Sequence, residues 1–253
     1  MNRISKSFAA TLCLFSATAG ARPLAEIQAS KVANLAAEGT LVPFNYHENS
    51  VLTGFEVELA NHLFSKLGVQ TKWQTHSFQS LLVGLGGNRY DAVVASLAIT
   101  PERKEAVLFV DPHYCSGPVL VTKKKGLTSL STLKDHRAAA KEGTIYFKFL
   151  AEQKGLKEIK SLPNNSDLIQ ALLSGRVDAI VLNEFAAERM LKAHPKANLV
   201  IGEKLMREEL GIAVNKKDAD LQKALNRELA SALADGTYHA LSMKYFGRDI
   251  RCQ

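Results

Sequence analysis

The residues of this sequence best suited to bind something lie in Ala95-Ser-Leu-Ala-Ile-Thr-Pro-Glu-Arg103, where the apolar run Asp91-Ala-Val-Val gives way to hydroxyls, a proline and an arginine. The planar guanidinium of Arg103 can hold a carboxylate through two parallel N–H···O bonds. Ser96 and Thr100 supply hydroxyls nearby. A second small cluster, Gly143-Thr144, follows the strand-like Arg137-Ala-Ala-Ala-Lys141 and precedes the helix-like stretch from Ile145 to Lys154. Its backbone N–H groups would open a helix and favour an anion.

Bond-breaking chemistry is missing. There is no G-x-S-x-G, H-E-x-x-H, C-x-x-C or G-K-[ST] pattern, and the histidines at 47, 62, 76, 113, 136, 194 and 239 have no metal-ligand spacing. Gly84-Leu-Gly-Gly87 has the composition of a phosphate loop but ends a helix, whereas a phosphate loop begins one. No metal and no cofactor are expected.

The elements that must position these residues alternate in type. Phe55, Leu59, Leu63 and Leu67 form one apolar helix face that Gly68 terminates, and Val69, Thr71 and Trp73 alternate as a strand. Ser77 can cap a helix carrying Leu81, Leu82 and Leu85, which Gly86-Gly87 stops before the short buried strand Asp91 to Ser96. Such βα units build a mainly parallel sheet. The unit recurs 87 residues later: Leu81 to Val94 aligns without gaps on Leu168 to Val181, sharing leucine at 81/168 and 85/172, arginine at 89/176, Asp-Ala at 91/178 and 92/179, and valine at 94/181. Two lobes of similar construction follow. Ligands of open α/β sheets bind beyond the carboxyl ends of the strands, which are Ser96 in one copy and Asn183 in the other.

The chain has 253 residues and a net charge of +7. Met1-Asn-Arg-Ile-Ser-Lys is basic, Ser7 to Ala19 is apolar and small, and Thr18-Ala-Gly-Ala21 has the pattern of a cleavage site, so residues 1–21 are read as a secretory signal. The remaining net charge of about +5 is dispersed. Its one cluster, Lys123-Lys-Lys125, has no interleaved aromatics and reads as a solvated loop, with no nucleic-acid partner implied. Cys115 and Cys252 remain after cleavage. An exported chain allows a disulfide between them, but their separation leaves it open.

Taken in order, Glu38 to Phe44, Leu52 to Ala60, Asp91 to Arg103, Phe109 to Tyr114, Gly143-Thr144, Ser174 to Ala179, Gly211 to Val214 and Ala234 to Tyr238 resemble the family 3 extracellular solute-binding proteins, the periplasmic amino-acid-binding components of ABC importers. The resemblance implies an α/β, two-lobed periplasmic binding protein type II fold, each lobe a sheet flanked by helices, with two hinge strands near Tyr114 to Val119 and Met206 to Gly211. Lobe 1 would comprise 22–118 and 209–253 and lobe 2 119–208, with Cys115 at a hinge and Cys252 in the tail returning to lobe 1.

The resemblance also implies a role: a monomeric protein of the periplasm that captures a small carboxylate-bearing solute, an amino acid or derivative, for an inner-membrane ABC transporter permease. Arg103 matches the arginine that grips the ligand carboxylate, Ser96 a contact to ammonium or carboxylate, Phe78 a residue packing on the ligand side chain, and Glu38 one reaching its distal end. Thr144 lies at the helix start. Asn183 stands where an aspartate usually meets the ammonium, Ala98 where a hydroxyl usually helps hold the carboxylate, Ile145 where a small hydroxyl residue is usual, and Leu41 where an aromatic stacks. Glu38 is then the candidate for the missing negative charge. The alternative is a cyclohexadienyl dehydratase-like enzyme on the same fold, with Glu38 or Glu184 as its acid.

Overall fold

The helix expected from Phe55 onward forms at Phe55–Lys66, with Phe55, Leu59 and Leu63 fully buried. Gly54 begins it at φ +124°, where a Cβ would stand 2.3 Å from the Phe44 carbonyl oxygen, so only glycine fits the turn. The computed structural model of the protein describes residues 21–252. The expected signal, residues 1–21, lies outside them except for Ala21.

Two sheets carry the fold. The first runs Gln70–Thr75, Val32–Ala37, Ala92–Ala98, Glu208–Asn215, Val107–Phe109, with Tyr114–Ser116 also pairing Glu208–Asn215. The second runs Glu158–Leu162, Arg137–Lys141, Ala179–Asn183, Pro118–Thr122, Val200–Lys204. In each, three strands are parallel, and the third of them, the strand of the repeat, pairs antiparallel with a strand that has just crossed between the sheets. The antiparallel sense follows because the crossing chain enters the sheet from the hinge end. A small three-stranded sheet, Thr40–Leu41, Asn45–Glu48 and Val51–Thr53, stands beside the first.

The crossings pair with each other: Glu208 lies opposite Ser116 and Glu209 opposite Cys115. Sheet membership changes at Pro118 and Glu208, each one residue before the expected lobe boundary. Cys115 and Cys252 form a disulfide, with Cα atoms 4.8 Å apart. Across the seam, Phe185 of the helix Glu184–Ala193 packs on Phe44 and Phe246, joining an aromatic group that includes the stacked pair Phe44 and Tyr114.

Candidate functional site

The strand Ala92–Ala98 ends against a six-residue helix, Pro101–Ala106, that places Arg103 over the strand's carboxyl end. Thr100 caps that helix by accepting from Arg103 N at 3.2 Å, so its hydroxyl oxygen already serves the backbone. Arg103 donates from Nη1 to the Ala98 carbonyl at 2.8 Å and from Nη2 to the Gly143 carbonyl, on the opposite sheet's side of the cleft, at 3.2 Å. Burial disfavours its charge. Among the described residues no carboxylate pairs with it.

Arg103 lines a cavity between the two sheets together with Leu41, Phe78, Ser96, Ala98, Thr144, Ile145 and Asn183, so the structure brings together eight of the nine residues singled out in the sequence. Phe78, almost fully buried, begins the helix Phe78–Gly86 and lies beneath two cations, with Lys141 Nζ 4.2 Å and Arg103 Cζ 5.7 Å from its ring centroid. Thr144 caps the helix Ile145–Ala151, accepting from Phe147 N at 3.3 Å and donating to the Lys141 carbonyl at 2.6 Å.

Glu38 does not line the cavity. Its carboxylate accepts from Lys141 Nζ at 2.5 Å, and both side chains are buried. The expectation that Glu38 meets the ligand or supplies the missing charge is therefore corrected: a buried lysine requires a partner, and Glu38 is that partner, from across the seam. Glu184 likewise pairs with Lys204 at 2.5 Å, outside the cavity lining.

Asn183 is less available than its position suggested. Its Oδ1 caps the helix Glu184–Ala193 by accepting from Phe185 N at 3.0 Å, which fixes its Nδ2 as donor to Ser116 Oγ at 2.7 Å and to Glu208 Oε1 at 3.4 Å.

Five lining residues were not among the candidates: Ala95, beside Ser96, and the polar or charged Lys141, Tyr146, Asn165 and Glu208. Glu208, the first residue of its hinge strand, is buried and accepts from the Tyr146 hydroxyl at 2.5 Å. Desolvation raises its carboxyl to about 7, although both donors and the Arg103 charge oppose that shift. It has no cationic partner among the described residues. The sequence held a signal: in Glu208-Glu-Leu-Gly-Ile the period of two puts Glu208 on the face of Leu210 and Ile212, both buried.

The sequence profile of bacterial extracellular solute-binding proteins, family 3, matches residues 34–248. The L-cystine-binding protein TcyJ of Escherichia coli strain K12 is 34% identical over 217 residues, covering 84% of this chain and 82% of the relative. The ABC transporter arginine-binding protein 1 of the same strain is 30% identical over 86% of this chain and 92% of its own. Among solved structures, an ancestral arginine-binding protein bound to arginine superposes with a TM-score of 0.82 at 32% identity, covering 86% of this chain and 99% of that one. On its sequence, its paired sheets and these likenesses, the chain belongs to family 3 of the bacterial extracellular solute-binding proteins.

Proposed function

We propose that the protein is an exported, monomeric binding protein that closes its lobes on a free α-amino acid and delivers it to the permease of an ABC transporter in the inner membrane. One observation carries the reading: the cavity is lined by a cation, Arg103, and a buried carboxyl group, Glu208, and neither has an opposite charge to pair with among the described residues. Leaving such charges uncompensated is costly, and a zwitterion compensates both. Its carboxylate goes to Arg103, and its ammonium goes to Glu208, which takes the place of the aspartate that Asn183 lacks. Phe78, Leu41, Ile145 and Ala98 supply apolar walls, and Thr144 the helix start. Lobe 1 is taken as 22–118 and 209–253 and lobe 2 as 119–208. Closure is then a hinge motion stabilised by ligand contacts from both lobes.

Binding is the favoured activity over dehydration because the two acids considered for catalysis, Glu38 and Glu184, are each held in an ion pair. The names of the relatives make L-cystine and L-arginine the first probes. A thermal-shift screen of amino acids and carboxylates tests the reading, since a ligand at 100 times its dissociation constant stabilises by about 2.7 kcal/mol. Arg103→Ala should then weaken binding by ~2–5 kcal/mol in calorimetric titration. A melting point moved only by compounds without a carboxylate, or an unchanged affinity in Arg103→Ala, overturns it.

A further inference from the structure

Ser96 is held in an unusual way. Its backbone is in the left-handed region, at φ +49°, which a non-glycine residue adopts at a cost and keeps only where its surroundings fix it. The surroundings are the carboxylate of Glu56, on the helix Phe55–Lys66 and almost wholly buried. Ser96 N donates to both of its oxygens, at 2.9 and 3.0 Å, and Ser96 Oγ lies 3.0 Å from Oε2. Asn45 Nδ2 donates to the same Oε2 at 2.7 Å, and His113 Nε2 approaches Oε1 at 2.8 Å.

The donors at Oε2 are fixed by their own partners. Asn45 Oδ1 accepts from Gly39 N at 3.0 Å, so the amide is oriented and its Nδ2 must be the donor toward Glu56. The Ser96 amide can only donate. Oε2 therefore faces fixed donors and acts as an acceptor. The hydroxyl hydrogen of Ser96 is thus committed to Oε2. The Tyr114 hydroxyl makes no hydrogen bond among the described residues, and a lone pair of Ser96 Oγ remains for the cavity that Ser96 lines.

We infer that Glu56, seated by Asn45 and His113, is a positioning residue that makes Ser96 Oγ an acceptor-only group, so that this end of the cavity takes an N–H or ammonium of the solute and refuses a carboxylate oxygen. This rests on the amino-acid reading above and orients the solute within it: ammonium toward Ser96 and Glu208, carboxylate toward Arg103.

Two measurements test it. Neutron diffraction from crystals of the ligand-free protein should place the Ser96 deuteron on the line to Glu56 Oε2; a deuteron directed into the cavity overturns the inference, whatever the ligand proves to be. Calorimetric titration should compare L-arginine with 5-guanidinopentanoate, which lacks its one α-ammonium, and L-cystine with 3,3′-dithiodipropionate, which lacks both of its α-ammonium groups. In Glu56→Leu no acceptor faces Ser96 Oγ, and its hydroxyl hydrogen is free to turn to the cavity. The preference for the amino acid should then fall about tenfold or more, while the des-amino compound changes by less than about threefold. Glu56→Asp, which keeps the carboxylate, should retain most of the preference. Equal losses for both members of a pair, or an unchanged ratio, sink the inference and leave Glu56 a structural residue. If neither amino acid binds the wild-type protein, the choice of probe fails, and the deuteron position still decides the role of Glu56.

Discussion

In the first copy of the 87-residue repeat, Asp91 accepts from Asn34 N at 2.7 Å and from the Arg22 guanidinium, and returns its own N–H to the Asn34 carbonyl. In the second, Asp178 accepts from Arg137 N and Nε, both at 3.0 Å, and returns its N–H to the Arg137 carbonyl. The shared Asp-Ala thus does the same work twice, tying each repeat strand to its parallel neighbour. The strand ends differ. Ser96 is oriented from within its own lobe by Glu56 and faces the cavity. Asn183 spends its oxygen on a helix cap and its amide on the crossing strands. Duplicated architecture therefore fixes where a strand end lies, while its partners decide what that end can do. With Asn183 occupied, the carboxyl group facing the cavity sits on the hinge strand, at Glu208.

The comparison is broken most directly at the aspartates. Asp91→Ala should destabilise by about 4 kcal/mol and Asp178→Ala by about 2 kcal/mol, since both strand amide and arginine lose their acceptor but the second site is wetter. Equal losses in urea unfolding would show that exposure does not separate the two copies.

The relocated charge has a signature in pH. Glu208 is raised from 4.5 to about 7 in the folded, ligand-free protein, so it favours folding while protonated, and that contribution is lost as pH rises from 4.5 through 7. About 3 kcal/mol should disappear across that window, and Glu208→Gln should remove this part of the pH dependence in unfolding experiments. Glu208→Gln should also weaken L-arginine or L-cystine binding by about 2 kcal/mol in calorimetry. Adding Asn183→Asp to it returns a carboxylate to the strand end and should recover at least half of that loss. The smallest contrast lies at the repeat helices. Asn164 accepts from Asp167 N at 2.9 Å, whereas Ser77 makes no capping bond to the backbone and bonds to Ser80 Oγ instead. Asn164→Ala should cost about 1 kcal/mol and Ser77→Ala a few tenths, read from melting curves.

Much of this was legible in the chain. The period of four from Phe55 to Leu67, the paired Asp-Ala segments and the glycines after residue 85 specify helices and strands locally, and Arg103 follows its strand end closely enough to be placed by it. The helix from Ile145 ends at Ala151, three residues short of the expected Lys154. The charged groups of the seam were harder to place. Whether Glu38 faces a ligand or a lysine depends on residue 141, more than a hundred positions away, and no local pattern encodes that pairing. Tyr146 and Asn165 look like ordinary first-turn helix residues until the lobes meet.

Gly117 sits where the chain first crosses, and a Cβ there would fall 2.1 Å from the Met206 carbonyl oxygen on the second crossing. Just before it, Cys115 is held on one side by the disulfide to the tail and on the other by Glu209 of the neighbouring strand. In the proposed closure, rotation of one lobe against the other would be confined to a fulcrum a few residues wide. Glu208 and Ser116 lie opposite each other at that fulcrum. On the proposed reading, the solute's ammonium would be held at the pivot itself and not at the rims of the lobes.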